Sequence, residues 1–437
     1  MNDGGGMTGA VCPSEVQESV PERHARLTGQ AIDKAFVARY ILALVGIWVA
    51  LLTPASVTLA LRVGQLVPDE KAEALAFVAS LGAAAALFAN PVFGALSDRS
   101  TLRWGQRRPF IIGGLFFGGL AVMAIGFADS IAGVAIGWVA AQLAFNAAIT
   151  ALVAILPERI PHAMRGRVAG FMGMAPQLGI VGGTFLIQLV GTEGHQMFFW
   201  PVVLGVLMTL PFAFTLKETP REAGEVKTIG IGTIFGALWI NPIAHRDFAL
   251  AWLGRFCVWI ALYLLTNYKT YFLIDRLGYT TETVPPILTA AMFTLAGCIV
   301  VSSLFGGWIS DRVDRRKPFV VFASFLYVFT MIIVAMATTV QGFLIGIALS
   351  GLAAGLYLGV DYALVARVLP NDRDEAARGM GLFNLSSTIP QTLAPVIAPV
   401  FLAIGATGTA GNYTSLFLAG AGAAFVGAII TQFIRTR

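Results

Sequence analysis

The sequence predicts an all-α membrane protein with twelve transmembrane helices in two pseudo-symmetric six-helix bundles. Three observations lead there. Of the 437 residues, 57% are hydrophobic and only 12% charged, which would leave a water-soluble domain short of polar surface to cover itself. Twelve apolar stretches of roughly 17–25 residues recur along the chain, each long enough to cross a hydrocarbon core of ~30 Å. Short motifs of the first half also return in the second at a nearly constant offset. Backbone groups in lipid must bond within their own segment, so runs of this length without strand-type alternation are helices.

Taken in order, residues 1–35 are polar and Gly-rich with no apolar core before a cleavage site, and they read as a disordered cytoplasmic tail rather than a signal peptide. An N-terminal bundle over 36–216 is expected to hold helices near 36–64, 71–95, 110–127, 131–156, 167–190 and 196–216. A cytoplasmic linker over 217–247 begins charged and then carries an apolar run, Ile231 to Ile240, ended by Asn241-Pro242; it suits an amphipathic helix on the cytoplasmic surface of the membrane. A C-terminal bundle over 248–434 is expected to hold helices near 248–274, 284–309, 319–337, 341–366, 379–404 and 414–434.

Basic residues orient the chain. Of the 29 Lys and Arg, 24 fall in the two tails and on alternate loops, so the positive-inside rule puts both termini in the cytoplasm, with the cell (inner) membrane as the location. The net charge of +5 then reflects topology and contact with anionic lipid, and calls for no nucleic-acid partner. Cys12 falls in the tail and Cys257 and Cys298 in helices, so no disulfide framework is implied.

The repeat is densest at the loops. Gly94-Ala-Leu-Ser97-Asp98-Arg99 returns as Gly307-Trp-Ile-Ser310-Asp311-Arg312, and Leu156-Pro157 with Arg165-Gly166 returns as Leu369-Pro370 with Arg378-Gly379, both at an offset of 213. Pro176-Gln177 returns as Pro390-Gln391 at 214. After the second helix, Gly94 allows close helix approach, and Asp98 can accept from a neighbouring helix N-terminus or from Arg107 and Arg108, which follow Gly105. Bonds of this kind can form in one rocking state and break in another. The pattern repeated in both halves, with Arg99, Arg165, Asp311, Arg312 and Arg378, reads as a cytoplasmic gate.

These residues resemble the signature of the major facilitator superfamily, Gly-x-x-x-Asp-Arg-x-Gly-Arg-Arg, and the likeness covers nearly the whole chain. The longer run from Ser97 through Gly105, Arg107, Arg108 and Pro109 to Phe110, with Leu51-Leu-Thr53-Pro54 in the first helix, is similar to the sucrose/proton symporters among the glycoside–pentoside–hexuronide transporters. The resemblance implies alternating access around a central cavity lined chiefly by helices 1, 4, 7 and 10. The sequence departs from that group in the fourth helix, where the sugar symporters carry an acidic residue and this chain has Gln142 and Asn146.

A charge inside a spanning helix costs ~2.5–3.5 kcal/mol on insertion scales, which makes embedded ionisable groups functional candidates. Asp361 in the tenth helix is six residues, or ~9 Å, before Arg367, and Arg255 in the seventh is ~12 Å from its cytoplasmic start. The two are expected to pair, either coupling to a proton or tying the helices together. Arg255, Trp259, Thr266 and Lys269 share one helix face; Tyr357 and Ser350 share that of Asp361. With Gln142, Asn146, Gln177, Asn384 and Gln391, this makes Trp259, Lys269 and Tyr357 substrate-cavity candidates: amides and hydroxyls bond sugar hydroxyls and aromatic faces stack on rings. Each also suits plain interhelical bonding, and Lys269 can instead snorkel outward.

The expected function is proton-coupled symport of a small polar solute, a sugar or glycoside, with a proton or other cation as coupling ion; export of drugs or natural products on the same fold is the alternative. The chain is expected to act as a monomer in the lipid bilayer. His24, His162, His195 and His245 are scattered, without metal-ligand spacing or a nucleophile–base pair, and no phosphate-cradling Gly-Lys-Ser/Thr loop is present. Neither an enzyme, a metal site, a cofactor nor direct ATP drive is expected.

Overall fold

The computed structural model describes residues 32–218, 245–313, 317–368, 373–406 and 411–434. The tail through residue 31 and the amphipathic run 231–240 lie outside the described residues. Among the described residues, twelve helices are long and apolar enough to cross a membrane. In chain order they are α1 (Lys34–Leu66), α2 (Lys71–Asp98), α3 (Arg108–Phe127), α4 (Ile131–Arg159), α5 (His162–Val190) and α6 (Gln196–Thr215), then α7 (Arg246–Arg276), α8 (Val284–Val313), α9 (Lys317–Met336), α10 (Val340–Val368), α11 (Arg373–Ala403) and α12 (Tyr413–Gln432).

Capping residues set several starts. Asp33 accepts from the Phe36 N–H at 2.7 Å before α1, Ser130 from Gly133 at 3.2 Å before α4, and Asn412 from Ser415 at 3.1 Å before α12. Two helices begin five or six residues ahead of their apolar runs: α5 starts at His162 rather than 167 and α11 at Arg373 rather than 379. Hydropathy registers only the part of a helix suited to hydrocarbon, whereas backbone bonding carries it on through Arg, Ala and Glu, which are good helix formers.

Helices α1–α6 and α7–α12 pack in matching ways. The pairs α1–α6, α2–α4, α3–α4, α3–α6 and α1–α5 recur as α7–α12, α8–α10, α9–α10, α9–α12 and α7–α11. The two sets meet through α2–α11 and α5–α8, which the same six-helix shift exchanges. Glycines permit the tightest crossings: a Cβ on Gly46 would lie 2.9 Å from the Gly205 carbonyl, and one on Gly427 would lie 2.8 Å from that of Gly254. Outward-facing Phe117, Ile136, Leu207 and Met336 are each more than 60% exposed, an apolar belt that lipid and not water would cover.

Candidate functional site

Between the two sets lies a cavity of about 40 Å³, room for about one water. Alanines of α1 and α2 line one side; its polar groups are Gln142 of α4, Asn267 of α7 and Gln391 of α11, beside the indole of Trp138. The α1 wall is shaped by Pro54, which has no N–H and whose ring crowds the carbonyl one turn back. The helix widens into a π-turn over Pro54–Thr58, where the Leu59 N–H reaches the Pro54 carbonyl, and Ala55 and Leu59 face the cavity. Thr53, just before it, donates to the Val49 carbonyl at 2.7 Å. A Cβ at Gly183 of α5 would be 1.8 Å from its hydroxyl, so α5 can approach only as glycine.

A polar track leads away from Gln142 towards the end that carries the basic loops. Asn146 donates to the Gln142 carbonyl at 2.7 Å and to its side-chain oxygen at 3.0 Å. Thr150 lies 2.7 Å from the Asn146 carbonyl and 3.1 Å from Oδ1 of Asn90 on α2. Asn90 is exposed and lies within about 20° of the helix face of Ala79 and Ala83, which line the cavity.

The opposite end is joined across the two sets. Lys71 at the start of α2 is ion-paired with Asp275 of α7, whose second carboxylate oxygen accepts from the Tyr413 hydroxyl at 2.6 Å. Asp275 belongs to a second π-turn, Phe272–Arg276. Just before that turn, the Tyr271 hydroxyl donates to the Ala60 carbonyl at 2.8 Å, and its ring lies 5.4 Å from the Lys71 ammonium. Thr192, after α5, donates to the Thr281 carbonyl at 3.4 Å.

Within the second set, Arg255 of α7 is bonded to Asp361 of α10, and both are 2% exposed. The Arg255 guanidinium is 4.2 Å from the Phe383 ring centre on α11 and 5.4 Å from that of Trp259. The pair is thus enclosed in aromatic walls. Trp259 and Tyr357 line a separate gap of about 20 Å³, with Tyr327 of α9, and not the amide-lined cavity. Lys269 neither snorkels outward nor lines that cavity. It is 2% exposed and donates to the Thr266 carbonyl of its own helix at 2.7 Å. Gln177 is half-buried on α5, and the side chain of Asn384 is outside the described residues.

At the basic end, Arg107 gathers three partners. Its guanidinium pairs with Asp98 at 2.5 Å, with Glu158 at the end of α4, and with the Ser97 hydroxyl at 2.7 Å. Burial works against its charge, but Glu158 and Asp98 together hold its pKa above the ordinary arginine value. Glu218 accepts from the backbone N–H groups of Arg107 and Arg108, each at 2.9 Å, at the N-terminus of α3, and lies 3.9 Å from Arg159. Burial nevertheless pushes the Glu218 carboxyl up, despite those bonds and Arg159. Gly105 has φ +99°, and a Cβ there would meet Glu218 at 2.3 Å. Gly94 packs on Thr150, whose methyl would lie 3.3 Å from a Cβ there. Glu158 and Glu218 are absent from the sequence-based gate. In the repeat copy Arg312 is exposed, whereas the side chains of Asp311, Arg165 and Arg378 are outside the described residues.

Comparison with known proteins fits this geometry. Among solved structures, the nucleoside transporter NupG matches with a TM-score of 0.70 at 13% identity, over 91% of this chain and 98% of that one. A D-xylose–proton symporter matches at 0.69 and 13%, over 92% and 98%. An inward-facing, unoccupied bacterial homologue of the human lysosomal transporter Spinster matches at 0.65 and 15%, over 92% and 96%. Identities this low speak for the fold alone. The family model described as Major Facilitator Superfamily matches residues 41–304 and 287–437. With twelve spanning helices in two matching sets, this chain is an integral membrane protein of the major facilitator superfamily, a transporter fold rather than an enzyme's.

Proposed function

We propose that the protein is a secondary active transporter that moves a small uncharged polar solute, a sugar or glycoside, by proton-coupled symport. The observation that carries this reading is the cavity between the two sets, where Gln142 faces Asn267 and Gln391 beneath the end joined by Lys71 and Asp275. Amides from both sets can bond one solute, so its presence ties the rocking of the sets to its passage. The same fold serves nucleosides in NupG and D-xylose in the D-xylose–proton symporter. The basic end is cytoplasmic on this reading, and the track through Asn146, Thr150 and Asn90 is the inner half of the pathway.

The coupling group is Asp361. In the state described it is ion-paired with Arg255; taking up a proton requires the pair to part, through a local shift of α7 against α10 within the second set. At the basic end, Arg107 with Asp98 and Glu158, and Glu218 on the α3 terminus, hold the first set's half of the gate. Uptake of radiolabelled sucrose and D-xylose into proteoliposomes, with and without an inward proton gradient, tests the reading. Gradient-driven accumulation that Asp361→Asn reduces to equilibration supports it; accumulation that survives Asp361→Asn rules out that residue as the coupling site.

A further inference from the structure

The amide-lined cavity holds one group that neither the helix-face pattern nor the charge pairs point to. Trp138 of α4 is 3% exposed and lines the cavity, yet its indole N–H has no acceptor among the described residues and is not sealed inside the protein. Its ring lies flush on α2 at Gly82, where a Cβ would stand 2.1 Å from Nε1; any other residue there would displace the indole. Across the cavity, the side chain of Asn267 on α7 is likewise without a partner among the described residues. An N–H that opens on the cavity without a protein acceptor is free to donate to whatever occupies that cavity.

We infer that Trp138 and Asn267 are substrate-binding residues: the indole N–H donates to an oxygen of the solute while the Asn267 amide bonds it from the other set. This rests on the transport reading above and names two residues that bond its solute. No charged side chain lines the cavity among the described residues, and Arg255 and Asp361 are spent on each other. A charged solute would enter without a counter-charge, whereas a hydroxylated neutral one meets both donors and acceptors. The flat indole beside that N–H also offers a face for the apolar side of a sugar or base ring.

The test is thermal unfolding of the purified protein against a panel of uncharged solutes (sucrose, maltose, D-xylose, uridine) and charged ones (glucuronate, choline). At least one uncharged solute should stabilise the wild type. For that solute, the half-saturating concentration should rise at least tenfold in Trp138→Phe, which keeps an aromatic ring and loses the N–H, and in Asn267→Ala, the shift of each variant being read against its own unfolding temperature without solute. Equal half-saturation in wild type and both variants overturns the assignment and leaves the transport reading standing. Stabilisation by charged solutes only, or by none of the uncharged ones, overturns both.

Discussion

Lys71 and Asp275 sit 204 residues apart in sequence, on different six-helix sets, and are joined in an ion pair at the end of the bundle away from the basic loops. The pair is 23% and 12% exposed at its two side chains, and Tyr413 holds the carboxylate from the other side. Such a bond can close a pathway and still yield, because water is near enough to solvate the parted charges. Arg255 and Asp361 are the contrasting case: bound within one set, almost fully buried, and walled by Phe383 and Trp259.

That contrast predicts different costs. Asp361→Asn leaves the Arg255 guanidinium buried without its counter-charge and should lower stability by about 3–5 kcal/mol. Replacing both, as Asp361→Leu with Arg255→Met, should recover most of the loss, since two apolar side chains need no partner. Chemical or thermal unfolding in detergent checks both variants, and a double variant no more stable than Asp361→Asn would count against the burial argument.

Gly46 and Gly205 let α1 and α6 touch backbone to backbone. Gly46→Leu must push the helices apart against Met208 and Thr209 as well. A loss of about 1–3 kcal/mol is expected from such overpacking. Gly170, where a Cβ would meet nothing within 4 Å, is the control: Gly170→Ala should be neutral or slightly stabilising by the same measurement.

Glu218 supplies a pH dependence. Burial raises its carboxyl pKa in the folded protein above the ordinary value of 4.5. A group raised on folding adds stability that is fully present below its unfolded pKa and is lost as pH rises through the folded one. This residue therefore makes the protein more stable as pH falls from neutral towards 4.5. Glu218→Gln can still accept from Arg107 and Arg108 but does not titrate, so it should flatten that part of the curve of unfolding temperature against pH.

Much of this architecture is legible from residue patterns, for physical reasons. Lipid demands long apolar helices, so the twelve spans are written in composition, and duplication leaves the loop motifs at a fixed offset. The Arg255–Asp361 contact shows itself because two charges in apolar helices have few alternatives but each other. The cavity is harder to read. Asn267 is 12 residues from Arg255, about 120° round the helix, so a search along the charged face passes over it. Trp138 looks like any core aromatic until Gly82 and the unbonded N–H are seen beside it. Glu158 and Glu218 sit 51 and 111 residues from Arg107, and nothing local marks them as its partners. Lys269 reads as a cavity or surface lysine because a helix face does not say which neighbour it meets.

The most direct test of alternating access is a spin-label distance measurement between Asp69 and Glu282, exposed positions on the two sets at the end joined by Lys71 and Asp275. With Asp69→Cys and Glu282→Cys labelled in a background lacking Cys12, Cys257 and Cys298, the wild type should show a dominant short distance and a minor longer one. Lys71→Ala should enlarge the longer population about fivefold, as weakening that end by about 1 kcal/mol requires. One unchanged distance in both proteins would contradict the claim that this ion pair closes a gate between two moving halves.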